Sequence, residues 1–298
     1  MLKSQKHKVR FVMKKNFAKI VALLCALLCV VTLCACNSEI EYKDVLTDAD
    51  TVRIMSFNIR CGEYKRRKNI VPQLILEYAP DSLGIQECTY EWYQQLQKKL
   101  PDYEFIGVGR DSGDLSEECG EISAVLFRKD KYTLVDSGTF WVSETPEEVS
   151  FGWDAACRRI CTWVILENIE TGEQFAHVNT HLDHEGQQAR VNGSKMVADH
   201  AKTFDMPTVL TGDFNFKKET DLYNGIVAAG LRDTQDLAAS TMNGKTYHGY
   251  EGGEDGLPID FIFVNDKIES VSVYKILREK YNLKYTSDHY PIYADMKF

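Results

Sequence analysis

The stretch "PTVLTGDFNF", residues 207–216, sets an apolar run, Thr208 to Leu210, directly against Gly212, Asp213 and Asn215. A short β-branched run closed by turn residues reads as a buried strand. Side chains two positions apart on a strand share a face, so Asp213 and Asn215 are expected to project together from the strand's end. Asp, Asn and Gly are also ordinary turn residues. This stretch alone leaves the two readings level.

The rest of the chain repeats the pattern. Strand-like runs occur at 52–59, 121–127, 161–168, 174–181, 208–214, 259–265 and 291–298. Helical spacing occurs at 66–80, closing at Pro80, at 89–100, closing before Pro101, and at 186–204. Strands outnumber helices, and the helices fill the longer connections. That pattern predicts packed sheets with helices outside, an α/β sandwich rather than strict β–α alternation. No repeat, low-complexity tract or Pro/Gly linker interrupts 51–298, so this part is expected to form one domain.

Polar residues gather where these strands end or begin. The first carries Asn58, "LGIQE" ends in Glu87, and "NTH" brings Asn179 and His181. "GDFN" brings Asp213 and Asn215, the next strand begins with Asp260, and "TSDHYP" carries Asp288 and His289. One such end is a turn. Six ends bearing hard oxygen or imidazole groups point to a shared pocket, with oxygen ligands suited to Mg²⁺, Mn²⁺ or Ca²⁺.

In this order, "SFN" (56–58), "IQE" (85–87), "NTH" (179–181), "GDFN" (212–215), "IDFIFV" (259–264) and "SDH" (287–289) resemble the endonuclease/exonuclease/phosphatase superfamily. The resemblance spans 51–298 and implies a four-layer α/β sandwich, two packed mixed β-sheets flanked by helices, as in deoxyribonuclease I. It implies a phosphoester hydrolase using Mg²⁺, or alternatively Mn²⁺ or Ca²⁺. Glu87 would be the principal metal ligand, with Asn58 and Asp288 beside it. Asp213 would position or deprotonate water, and Asn215 would hold a phosphate oxygen. His289, paired with Asp260, would bind phosphate or act as acid or base. His181 would stabilise developing charge, with Glu121 as its orienting carboxylate. In-line displacement at an anionic phosphorus calls for this combination of metal, nucleophile and charge-tuned imidazole. Arg159 matches an arginine of many bacterial members and would contact the substrate's phosphate, and Asn179 would also bind substrate; a solvated strand-end arginine is an equal reading of Arg159.

Residues 1–19 carry seven Lys or Arg and no acid, and 20–35 are almost wholly apolar. This is the layout of a secretory signal, and at 16 residues the run is shorter than the roughly 20 of a spanning helix. "LCAC" (33–36) resembles a bacterial lipobox, so cleavage after Ala35 and lipidation of Cys36 are expected, with an uncleaved anchor as the alternative. Residues 36–50 then read as an acidic tether, and the protein as an exported, membrane-anchored monomer. Without 1–35 the chain has 28 basic residues against 44 acidic ones, a net charge of −16. Such a surface lacks the basic footprint of a tight nucleic-acid binder.

Other groupings carry less. His177 and His181 lie four residues apart on one strand, about 13 Å, too far to share zinc, so His177 reads as a sheet histidine. Cys61, Cys88, Cys119, Cys157 and Cys161 are odd in number and scattered, which reads as small core residues with room for one disulfide. Arg190, Trp141, Trp153 and the Gly-rich loop 246–256 fit either a groove or packing. The expected substrate is therefore a lipid headgroup, a small phosphoester or nucleic acid. An exported nuclease stands as the alternative activity, and an inactive binding module as the alternative class.

Overall fold

A computed structural model of the chain describes residues 40–46, 48 and 50–298. The signal segment and Cys36 lie outside the described residues. Strands, numbered along the chain, form two sheets. The first has the order β10 (Ser240–Thr241), β12 (Ser270–Ile276), β13 (Ile292–Lys297), β1 (Val52–Asn58), β2 (Ser82–Cys88), β4 (Ile122–Arg128) and β3 (Tyr103–Ile106). The second has the order β5 (Tyr132–Trp141), β6 (Ile160–Asn168), β7 (Gln174–His181), β8 (Thr208–Asp213), β11 (Asp260–Val264) and β9 (Arg232–Asp233).

Ile54, Val125, Val164, Val209, Ile262 and Ile292 fill the space between the sheets. Helices α1 (Tyr64–Arg67), α2 (Ile70–Tyr78) and α3 (Tyr90–Lys99) follow β1 and β2. Leu74 and Trp92, from α2 and α3, pack with Phe57 and Ile85 on the outer face of the first sheet. On the second, α4 (Gln187–Ala201) and α5 (Asp221–Ala228) set Val197 and Tyr223 against Val178, Leu210 and Phe261. The short α6 (Thr234–Leu237) follows β9. Helices α2 to α5 each bury one face against a sheet, and the sheets pack on each other, which gives four layers.

Three departures from the sequence reading have local causes. The helix expected over 66–80 is broken between α1 and α2, because the buried Arg67 turns inward to the carbonyls of Ile59, Arg60, Gly62 and Thr286. β5, which is not among the strand-like runs read from the sequence, is half-exposed along an edge and shifts register between Leu134 and Asp136, so it carries no clean apolar alternation. The segment read as a tether is docked from Lys43 onward. Lys43 Nζ pairs with Glu77 at 2.8 Å, and Asp44 accepts from Lys275 and from the Tyr293 hydroxyl, both at 2.8 Å. Its acidic residues find basic partners on the domain, which composition does not reveal. All five cysteines of the domain are free, and Cys88, Cys119 and Cys161 are buried.

A buried polar contact joins the two central layers at Asn179. Asn179 is fully buried; its Nδ2 donates to the Ile85 and Ala124 carbonyls, both at 2.9 Å, and its Oδ1 accepts from Gln86 and Thr211. It therefore lies between the sheets and does not face the substrate, correcting the expectation above. Strand alternation does not distinguish an intersheet face from a pocket. Gly84 makes this approach possible, since a Cβ there would overlap Thr211 Oγ1 and Asn179 Oδ1. Gly84→Ala should lower stability by about 2–4 kcal/mol through overpacking and loss of buried hydrogen bonds, read by urea unfolding. Gly225→Ala in α5, where a Cβ meets nothing within 4 Å, should instead raise stability slightly. Equal stability of Gly84→Ala and the parent would contradict this packing.

Candidate active site

The topology brings the polar strand ends to one edge. β1 and β2 are parallel, as are β7 and β8, so Asn58, Glu87, His181 and Asp213 leave the sheets on the same side. Their antiparallel neighbours β4, β6, β11 and β13 begin there, which adds Glu121, Arg159, Asp260, Asp288 and His289. A cavity of about 330 Å³ is lined by Glu87, Glu121, Arg159, His181, Asp213, Asn215 and His289.

Glu87 reaches the cavity because β2 is irregular. Its register against β4 shifts between Ile85 and Cys88, and Glu87 adopts φ 58°. A bulge of this kind re-aims a side chain, and Asn179 satisfies the carbonyls it leaves open. Glu87 Oε1 accepts from Asn58 Nδ2 and Oε2 from the Cys61 N–H, both at 3.0 Å. Burial opposes its charge, but these donors outweigh burial and hold its pKa below the usual glutamate value. Asp288, 3% exposed, lies 3.4 Å from the Arg60 guanidinium.

Asp213 ends β8 with 2% exposure. Its Oδ1 accepts the Asn215 N–H at 3.0 Å and its Oδ2 accepts Asn58 Nδ2 at 2.9 Å. Asn215, at φ 51°, turns its amide nitrogen to Leu182 O and His181 Nε2. The quoted stretch is thus both a turn and a pocket wall. Burial and the charge of Asp260 push Asp213 up to about 7.

His289 Nδ1 lies 2.9 Å from Asp260 Oδ2, and its Nε2 lies 3.7 Å from Asp213 Oδ2. Burial disfavours its charge, but Asp260, Asp213 and Asp288 outweigh that and raise its pKa to about 10. His181 is the opposite case. Burial and the cations of Arg159 and Arg110 hold its pKa well below the ordinary histidine value. One imidazole is therefore charged and the other neutral near pH 7.

Glu121 makes its close contact with Arg110 Nη1, at 2.8 Å, while His181 Nδ1 is 4.0 Å away. Its expected role as orienting carboxylate for His181 is thus secondary to an ion pair that sequence reasoning missed. Arg110 sits in an irregular loop with no periodicity to flag it. Arg159 is buried, with Nε 3.4 Å from Asp183 Oδ2 and Nη2 3.0 Å from His184 Nδ1. Arg60 and Asp183 were also missed, although each follows Asn58 or His181 by two residues, the spacing of one strand face. His177 hydrogen-bonds Ser82 and Thr211 in the core, at 2.7 and 2.8 Å.

A hard cation fits the donor set. Glu87 and Asp288 offer oxygens, the ionised Glu87 is held ready, and Glu87 and Glu121 can bring carboxylate oxygens within 4.8 Å of each other; Asn58, expected as a ligand, instead turns Nδ2 to Glu87 and gives Oδ1 to the Arg60 N–H. Asp213, Asp260 and His289 form a second close group.

The two histidines separate under nuclear magnetic resonance titration of the protein in EDTA. His289 should keep both ring protons at pH 8 and lose one near pH 10, while His181 should gain its second ring proton only well below the pH at which an ordinary histidine does. His289 binds its proton more tightly in the fold than its ordinary value of 6.5. It therefore stabilises the fold fully below pH 6.5, and that contribution fades as pH rises towards 10. A His289 midpoint near 6.5 would contradict the assigned pairing.

Comparison with known proteins gives the same picture. Residues 55–289 match the model of the Endonuclease/Exonuclease/phosphatase family. An endonuclease/exonuclease/phosphatase from Bacteroides vulgatus is 36% identical, with TM-score 0.76, covering 83% of this chain and 99% of its own. A mannosyl-6-phosphatase from Bacteroides thetaiotaomicron VPI-5482 is 32% identical, with TM-score 0.77, covering 83% of this chain and 100% of its own. TDP2 of D. rerio, complexed with a single-strand DNA product, is 19% identical and shares the fold, with TM-score 0.67, covering 84% of this chain and 100% of its own. No curated protein matches the sequence. Family members are metal-dependent hydrolases of phosphoesters. With the six motifs gathered at one sheet edge and the family model matched across 55–289, the chain belongs to the endonuclease/exonuclease/phosphatase family.

Proposed function

We propose that the chain hydrolyses small phosphoesters outside the cell, using Mg²⁺ and held at the membrane by a lipid on Cys36. The observation that carries this reading is the opposition, in one buried pocket, of ionised Glu87 to the Asp213–His289–Asp260 group.

Glu87 and Asp288 would hold the divalent cation, with Asn58 steadying Glu87, and the cation when bound would supply positive charge to the phosphoryl oxygens. Asp213, with a pKa near 7, suits the removal of a proton from an attacking water at neutral pH. His289, kept cationic by Asp260, presents Nε2–H to a phosphoryl oxygen as charge develops. Asn215 Nδ2 donates to Nε2 of neutral His181, which fixes that imidazole with its proton on Nδ1. Residues 182–184 and 157–159 close the other side of the pocket.

Several observations favour a small substrate. The cavity of about 330 Å³ fits a compact phosphoester. The net charge of −16 on 36–298 repels a long polyanion. The mannosyl-6-phosphatase relative at 32% identity supports a phosphorylated sugar. The nucleic-acid alternative has only a fold likeness at 19% identity behind it. An inactive binding module has no physical need for four buried carboxylates, so the intact set argues for chemistry.

The test uses chain purified from its native membrane. Hexose 6-phosphate should be hydrolysed with Mg²⁺ and not with EDTA, single-stranded DNA should be a poor substrate, and the N-terminal mass should show a lipidated Cys36. Glu87→Gln keeps the side-chain shape and removes the charge, and should lower turnover by about 10³-fold or more. Near-normal turnover of that variant in saturating Mg²⁺ would remove Glu87 as the main ligand. An unmodified N-terminus would remove the anchor.

A further inference from the structure

The pocket extends beyond the phosphate-binding end. Arg159, His181 and Asp213 stand at the ends of three adjacent strands, β6, β7 and β8. Strands lie about 4.8 Å apart, so the backbone of Arg159 is two strand spacings from that of Asp213, and its guanidinium enters the cavity from that side.

Arg159 is built into this position. Asp183, 1% exposed, uses Oδ2 to accept from Arg159 Nε and the Cys157 N–H, at 3.4 and 3.2 Å. Its Oδ1 accepts from the Glu185 and Gly186 N–H groups, at 3.0 and 2.7 Å. One carboxylate thereby ties together the two loops that carry Arg159 and His184. His184 Nδ1 fixes Nη2, and among the described residues Nη1 donates to no protein group. The Arg110–Glu121 pair, at 2.8 Å, lines the same cavity, with Glu121 4.0 Å from His181 Nδ1.

The charge at this end decides its ligand. Each arginine is matched by a carboxylate, so the end is close to neutral, and a second phosphate would meet the charge of Glu121. Guanidinium donors beside carboxylate acceptors suit groups that both donate and accept, and hydroxyls do so. We propose that Arg159, positioned by Asp183, and the Arg110–Glu121 pair form a leaving-group subsite that reads the hydroxyls of a polyol such as a sugar ring. This rests on the phosphoester reading above and adds the residues that select the leaving group. Asp183 is a positioning residue here, acting through Arg159.

The test compares two phosphomonoesters of equal charge, hexose 6-phosphate and phenyl phosphate, by titration calorimetry in EDTA, where turnover stops. The parent chain should bind the hexose ester at least about tenfold more tightly, and Asp183→Asn and Arg159→Lys should each bring that ratio close to one. Arg159→Lys keeps the charge and removes only the fork, so it covers the case in which Asp183→Asn fails to fold. A general loosening of the fold would weaken both ligands alike and leave the ratio in place. A ratio near one in the parent, no binding of the hexose ester, or a ratio that survives Arg159→Lys overturns the proposal. Failure of hydrolysis while the preference stands would overturn only the reading of activity.

Discussion

Glu87, Asp213, Asp260 and Asp288 all end at one sheet edge, each at most 8% exposed. Taking carboxylates out of water is costly unless charge or hydrogen bonds compensate. The surroundings of the pocket follow from that constraint. Asn58 donates to both Glu87 and Asp213, the Cys61 and Asn215 N–H groups cap one oxygen each, and His289 carries the cation between Asp260 and Asp213. Compensation is incomplete, since Asp260 Oδ1 is buried without a partner and Asp213 is pushed to about 7. A stable scaffold has no use for such a group; a proton-transfer site does.

The scaffold earns this arrangement through parallel pairing. Two adjacent parallel strands in each sheet present four C-terminal ends on one side, and antiparallel neighbours add four starting points there. The intersheet contact then sets the fine aim. Asn179 of the second sheet reaches across Gly84 to the open carbonyls of β2 and β4, stabilising the bulge on which Glu87 turns at φ 58°. The proposed metal ligand Glu87 on one sheet is thus oriented from the other.

Much of this was legible in the sequence because strand-end chemistry is local. Asp213, Asp260 and His289 could be placed from apolar runs that stop at polar residues. The four-layer architecture agreed with runs whose period and length were clear. What stayed hidden depends on contacts between distant segments. Asn179 has the same alternation as a pocket residue, yet an opposing glycine turns its site into an intersheet contact. Arg110 belongs to a loop without periodicity, so its claim on Glu121 shows only once β4 and the 107–121 segment are side by side. The docking of Lys43 and Asp44 depends on Glu77, Lys275 and Tyr293, far along the chain.

The central claim is that Asp260 and His289 act as one charged unit facing Asp213. A double-mutant cycle on kcat/KM in saturating Mg²⁺ tests it most directly, with Asp260→Asn, His289→Ala and the pair. Members of one unit lose function non-additively. Each single variant should fall by about 10²-fold or more, and the double variant should be little worse than the poorer single. Small losses that simply multiply would mean that the two side chains act independently, and would contradict the account.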